Sequence, residues 1–99
     1  KATFEIAINR EYSAFYVSED ETSVVLAKKA MANVHIIPKV QKGGGGSDAN
    51  IFNAAGVPTV IIGTGMNRYH TVEEYISIAD LKKGQALVSE MIRLYSEEN

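Results

Sequence analysis

The chain has 99 residues, 45% apolar and 22% charged, with a formal net charge of -2. These values describe one globular domain at most; they exclude a disordered or fibrous polymer, and no basic stripe is present to neutralise the phosphates of a nucleic acid. Cysteine is absent, which excludes a disulfide framework and any thiolate metal site and leaves His, Asp and Glu as the available metal ligands.

Taken in chain order, the first segment is a strand. Phe4, Ile6 and Ile8 alternate with polar positions over residues 4 to 16, and Tyr12, Phe15 and Tyr16 continue it in an extended or turning form. The acidic patch Ser18-Glu19-Asp20-Glu21 opens a helix from about residue 20 to about residue 33, with Val24, Ala27, Met31 and Val34 at helical spacing. Residues 36 to 40 read as a short strand, which Pro38 confines to an edge or to a short paired stretch. After the run Gly43-Gly44-Gly45-Gly46, Ser47 is the expected N-cap of a short helix that Gly56 stops. Val57 to Ile62, apolar but for Thr59, reads as a strand covered on both faces and ends in Gly63-Thr64-Gly65. A loop holding His70 leads to a last helix, opened by Ser77 and Asp80, with Leu81, Val88, Met91 and Tyr95 on one side. The alternation of strand and helix predicts an α/β sandwich with helices over a largely parallel sheet. The first strand fits this order least well. No apolar run nears the roughly 18 to 20 residues that cross a bilayer, so a membrane is not an expected partner.

Two features carry possible chemistry. Consecutive glycines sit where the backbone needs unusual dihedrals or something approaches closely, and here they lead into a helix N-terminus, which favours an anionic or carbonyl-bearing ligand. The same run also reads as a flexible tether, although a capped apolar helix directly after it favours a binding loop. No Lys-Ser or Lys-Thr follows, so it is not a phosphate-binding loop. His70 lies just past a strand end, where functional groups collect in α/β folds, with Glu73 and Glu74 nearby to orient the ring; an exposed loop histidine is the commoner outcome. His35, at a helix-to-strand junction, has no evident partner. The acidic patch at 19 to 21 reads as a helix start, and the Glu97-Glu98 end as a solvated tail.

The block Gly44-Gly45-Gly46-Ser47-Asp48-Ala49-Asn50-Ile51-Phe52, then Gly56-Val57-Pro58-Thr59-Val60, then Gly63-Thr64-Gly65 and His70-Thr71-Val72-Glu73-Glu74-Tyr75-Ile76, resembles the C-terminal signature of the peptidase T branch of the dizinc exopeptidases. That group also holds carboxypeptidase G2-like enzymes and amino-acid deacylases. The resemblance covers the whole chain. It implies a three-layer sandwich of helices over a mostly parallel sheet, with residues 1–17 as the last strand of a lid and dimerisation domain and residues 18–99 as the C-terminal part of the catalytic domain. His70 matches the family's last metal-ligand histidine, for one of two zinc ions. Gly45, Gly46, Ser47 and Asn50 match the loop lining the substrate pocket. Glu73 and Glu74 match the acidic pair after the histidine.

The family's His-x-Asp pair, bridging Asp, other acidic ligands and general-base Glu have no counterpart in this sequence, and the loop carries one glycine more than the pattern. The resemblance therefore implies a fragment without a catalytic residue of its own, inactive in isolation and binding zinc poorly by itself. Its parent would be a cytoplasmic exopeptidase cleaving short peptides, or the same chemistry on N-acyl amino acids. The alternative from another class is a stand-alone α/β module that binds a small ligand or partner through the glycine loop. Open sheet edges predict a homodimer or self-association.

Overall fold

The structure, a computed structural model, describes residues 2–98. Lys1 and Asn99, the outer ends of the two expected domains, lie outside the described residues. Three helices form: α1 (Thr22–Asn33), α2 (Asp48–Ala54) and α3 (Ile78–Glu98). None is long and apolar enough to cross a membrane.

The α1 helix buries Val24, Ala27 and Ala30, one stripe at three-residue steps, and packs it against α3. The core cluster consists of Ala30, Leu87 and Leu94, with Leu26, Met31, Val34, Ile36, Ile62 and Met91 packed around it. Ala30 is fully buried, so nothing bulkier fits at that crossing without pushing the helices apart. On α3, Leu87 and Leu94 are buried with Met91 packed against them; of the expected face Met91 takes part, while Leu81, Val88 and Tyr95 are exposed. Both stripes are apolar and lie about one residue step apart around the axis, and the α1 contact selects one of them.

Both helix ends beside the loops close with a left-handed residue. At the end of α1, His35 has φ 62°, its N–H donates to Ala32 O at 3.2 Å, and the Ile36 N–H donates to Met31 O at 2.8 Å. This is the pattern that glycine normally supplies. At the end of α2, Gly56 has φ 85°, and the Val57 N–H donates to Phe52 O at 2.9 Å. Gly56 thus stops the helix as the sequence predicts.

Among the described residues no strand ladder forms, and the one pairing is an isolated antiparallel bridge between Asn67 and Tyr75. The expected strands at 4–16, 36–40 and 57–62 run without partners. A strand exists only where a neighbour takes its N–H and C=O groups, and several of these groups are engaged otherwise. Asn53, from α2, takes both the N–H and the C=O of Thr59, at 3.0 and 2.8 Å. The Ile36 N–H caps α1.

The shape is open. Its accessible surface is 8627 Å², whereas a folded monomer of 10.8 kDa exposes about 5,500 Å². The radius of gyration is 17.7 Å, against about 13 Å for a compact chain of this length.

Candidate functional site

The glycine loop is built from its neighbours inward. Ser47 caps α2 by accepting the Ala49 N–H at 3.2 Å, and Asn50 Oδ1 accepts the Ser47 N–H at 3.0 Å, a reciprocal box. At the other end of its amide, Asn50 Nδ2 donates to Ser13 O at 2.9 Å. The α2 helix has seven residues, under two turns, so its dipole adds little to any attraction for an anion.

The four glycines are not equivalent. Gly45 has φ 106°, which a side chain rarely adopts. A Cβ at Gly46 would stand 2.6 Å from Cζ of Tyr12, so this glycine lets the Tyr12 ring lie against the backbone. Gly43 and Gly44 meet nothing within 4 Å. The extra glycine of the run therefore falls where the fold places no demand. Residues 43–48 are exposed, and Asn50 beneath them is buried. Of the four residues matched to the substrate pocket, Gly45, Gly46 and Ser47 face solvent, while the Asn50 amide is engaged by the chain's own backbone.

His70 stands on a separate hairpin closed by Asn67 and Tyr75, whose backbones exchange hydrogen bonds of 2.7 and 3.1 Å. Arg68 and His70 both adopt left-handed backbone, φ 52° and 64°. Thr71 supports the turn: its hydroxyl donates to Arg68 O at 2.6 Å and accepts the Glu73 N–H at 3.2 Å. Glu74 Oε1 accepts the His70 backbone N–H at 3.3 Å, and Glu73 lies 3.9 Å from Arg68. The acidic pair thus orients the loop's backbone and its arginine. The ring itself is exposed and meets Tyr69 edge-on, with centroids 5.6 Å apart. Among the described residues, the hydrogen bonds and ring contact of His70 stay within its own hairpin.

A catalytic zinc ion takes about three protein ligands and an open position. Among the described residues no group of three or more His, Asp or Glu side chains stands together. One imidazole does not fit zinc alone, and no catalytic step is derived from it.

Sequence reasoning did not foresee the contacts of Tyr12, Asn53 and Asp80. Tyr12 closes on Gly46 from 34 positions away, and nothing in the pattern pairs them. Asn53 bridges Ala49 O and Thr59; an Asn near a helix end was the only signal. Asp80 packs so close to Gly65 that a Cβ there would stand 3.2 Å from its own Cβ. It lines a shallow groove with His35, Ile36, Gly63 and Lys83, between the end of α1 and the start of α3.

The sequence model of Peptidase family M20/M25/M40 matches residues 2–94. The chain belongs to this family. Protein YqjE of Bacillus subtilis (strain 168) is 35% identical over 88 residues, covering 89% of this chain and 24% of that protein. Peptidase T of Geobacillus sp. (strain WCH70) is 35% identical over 75 residues, covering 76% of this chain and 18% of that protein. The crystal structure of aminopeptidase PepT from Bacillus cereus ATCC 10987 superposes with a TM-score of 0.80 at 34% identity, over 85% of this chain and 22% of that one. The resemblance drawn from the Gly-Gly-Ser-Asp-Ala-Asn and His-Thr-Val-Glu-Glu blocks is thereby borne out, and the peptidase fold with it. The chain spans about a quarter or less of the length of these relatives.

Proposed function

We propose that this chain is the C-terminal part of a metal-dependent exopeptidase of the peptidase T type, which removes the N-terminal residue of a short peptide in the cytoplasm. The observation that carries this reading is the family match over residues 2–94 to proteins about four times longer or more. In this reading residues 2–17 belong to a lid that also makes a homodimer, and the rest to the catalytic domain. Segments 36–40 and 57–62 are strands of a mostly parallel sheet whose neighbours lie in parts of a longer polypeptide outside these 99 residues. The exposure of Ile37 and Ile61 supports this, because such side chains are covered in a completed sheet.

His70 supplies one of several zinc ligands, the others coming from outside these residues. Its left-handed backbone supports the assignment, since strained dihedrals concentrate where a side chain must be aimed. Gly45, Gly46 and Ser47 line the substrate pocket, with Asn50 beneath them. Gly45, without a side chain and with nothing within 4 Å of where one would stand, lets a peptide backbone come close, whereas Gly46 gives its space to Tyr12. The general base and remaining ligands are not assigned to this chain.

The test is calorimetric titration with zinc of this chain, of the longer enzyme, and of a His70→Ala variant of each. Binding only by the longer enzyme, weakened in the variant by about 10-fold or more as for a lost ligand or its support, is the expected outcome. Tight stoichiometric binding by the 99-residue chain, abolished by His70→Ala, would overturn the partial-site reading. Tripeptide and N-acyl amino-acid hydrolysis by the longer enzyme then decides the substrate class.

A further inference from the structure

Two contacts join the segment before α1 to the glycine loop, and both pass through neighbouring residues. Asn50 Nδ2 donates to Ser13 O at 2.9 Å, across 37 positions of sequence. The Tyr12 ring lies where a Cβ at Gly46 would be. On the loop side, Asn50 Oδ1 holds the Ser47 N–H at 3.0 Å. Asn50 is the buried polar residue of this region, 5% exposed. With one end of its amide on Ser47 and the other on Ser13, its hydrogen-bonding capacity is largely used.

We propose that Asn50 is a positioning residue: it fixes the glycine loop to the backbone at Ser13, so that a displacement of residues 12–13 moves Gly46 and Ser47. This deepens the reading above, and only its consequence for a peptide in the loop rests on that reading. Because residues 2–17 are assigned there to a second domain, Asn50 is the point at which that domain's placement reaches the pocket.

Asn is required because the two ends differ. Aspartate keeps an acceptor for Ser47 N–H but turns an oxygen towards the Ser13 carbonyl, so Asn50→Asp breaks one link and spares the other. The aromatic ring of Tyr12 gives Gly46 a ring-current shift that reports its position by NMR. In Asn50→Asp, the Gly46 resonances are expected to move to their values in Tyr12→Leu. The Ser47 and Ala49 amides should stay protected. Tyr12→Phe, which keeps the ring, should leave Gly46 unmoved. Unchanged Gly46 resonances in Asn50→Asp would overturn the proposal.

Tyr12→Leu leaves α2 intact and supplies a second route should Asn50→Asp disturb folding. Coupling is reciprocal, so this variant must speed exchange of the Asn50 side-chain amide protons; no change there would also overturn the proposal. In the longer enzyme, kcat/KM for a tripeptide should fall in parallel in Asn50→Asp and Tyr12→Leu. An active enzyme indifferent to both would remove the positioning role, whereas an inactive parent with intact NMR coupling would remove only the peptidase reading.

Discussion

At the scale of single residues, two asparagines hold backbone groups of segments predicted as strands, Asn50 at Ser13 and Asn53 at Thr59. Asn53 is the stricter case, because it presents an acceptor to the Thr59 N–H and a donor to the Thr59 C=O, as a paired strand residue would. Asn53→Ala leaves both groups to compete for water at a half-buried position. The expected cost is about 1–3 kcal/mol, the penalty for stranding buried polar groups, read as a lower urea midpoint with the slope unchanged. Asn53→Asp should cost at least as much, since its carboxylate faces a carbonyl. His35 shows the opposite imbalance. Its φ of 62° lies where a Cβ crowds the following carbonyl, and its ring has no hydrogen bond to offset the strain among the described contacts. His35→Gly should therefore stabilise the chain by about 0.5–1 kcal/mol, less than the full relief because glycine loses more entropy on folding. A midpoint that falls in this variant would mean that the His35 side chain holds something in place.

At the scale of elements, α1 and α3 are joined by apolar packing and by a polar junction at Glu90. Asn33 Nδ2 donates to Glu90 Oε1 at 2.8 Å, and Arg93 Nε donates to Glu90 Oε2 at 2.9 Å. The arginine's hydrogen bond first, then that of Asn33, lowers the Glu90 carboxyl from 4.5 to about 2, and the same pairing raises Arg93. The folded value lies below the unfolded one, so the junction contributes stability above pH 4.5 that fades as the pH falls towards 2. Glu90→Gln keeps an acceptor for Asn33 and removes the charge. Melting temperatures at pH 7 and pH 3 should differ less in this variant than in the parent, and added salt should shrink the parent's difference. An equal pH dependence in both would show that the pair is idle.

The helices were legible in the sequence because their instructions are local. Ser47 and Gly56 bracket α2, and the Val24, Ala27, Met31 stripe marks α1. The stripe of α3 was partly misplaced because Leu87 and Leu94 compete with the apolar Val88 and Tyr95, Met91 being common to both, and only the position of α1 decides between them. The strand segments read as strands from alternation, yet a strand is completed by a partner that no local pattern contains. Of the candidate site, the glycine loop and His70 were singled out by their place in the pattern and by resemblance. Tyr12 over Gly46 and Glu74 on the His70 backbone were not, since both depend on how distant or adjoining turns close.

At the scale of the whole molecule, surface is the dominant fact. The chain exposes about 3,000 Å² more than a compact monomer of its mass, whereas a stable interface buries roughly 1,200–2,000 Å² in total. Much of that excess is apolar and attached to backbone without ladder partners: Ile6 and Ile8, Ile37 and Val40, Val57 and Ile61 are all exposed. Such segments pair with whatever strand they meet. Light scattering of the isolated chain should therefore give a mass that rises with concentration above 10.8 kDa. Lysines placed on the two segments, as Ile37→Lys with Ile61→Lys, should return it towards the monomer, because an edge charge must be desolvated for a second strand to dock. Neither residue belongs to the core cluster, so the double variant should keep the helical signal of the parent. A monomer at every concentration would remove the case for open edges. Association undiminished by the lysines would place it on another surface, with the exposed Leu81 and Val88 face of α3 the next to test. If the longer peptidase carries the missing strands, as proposed, the same two lysines there should impair folding of the enzyme, since the side chains they replace would then be covered.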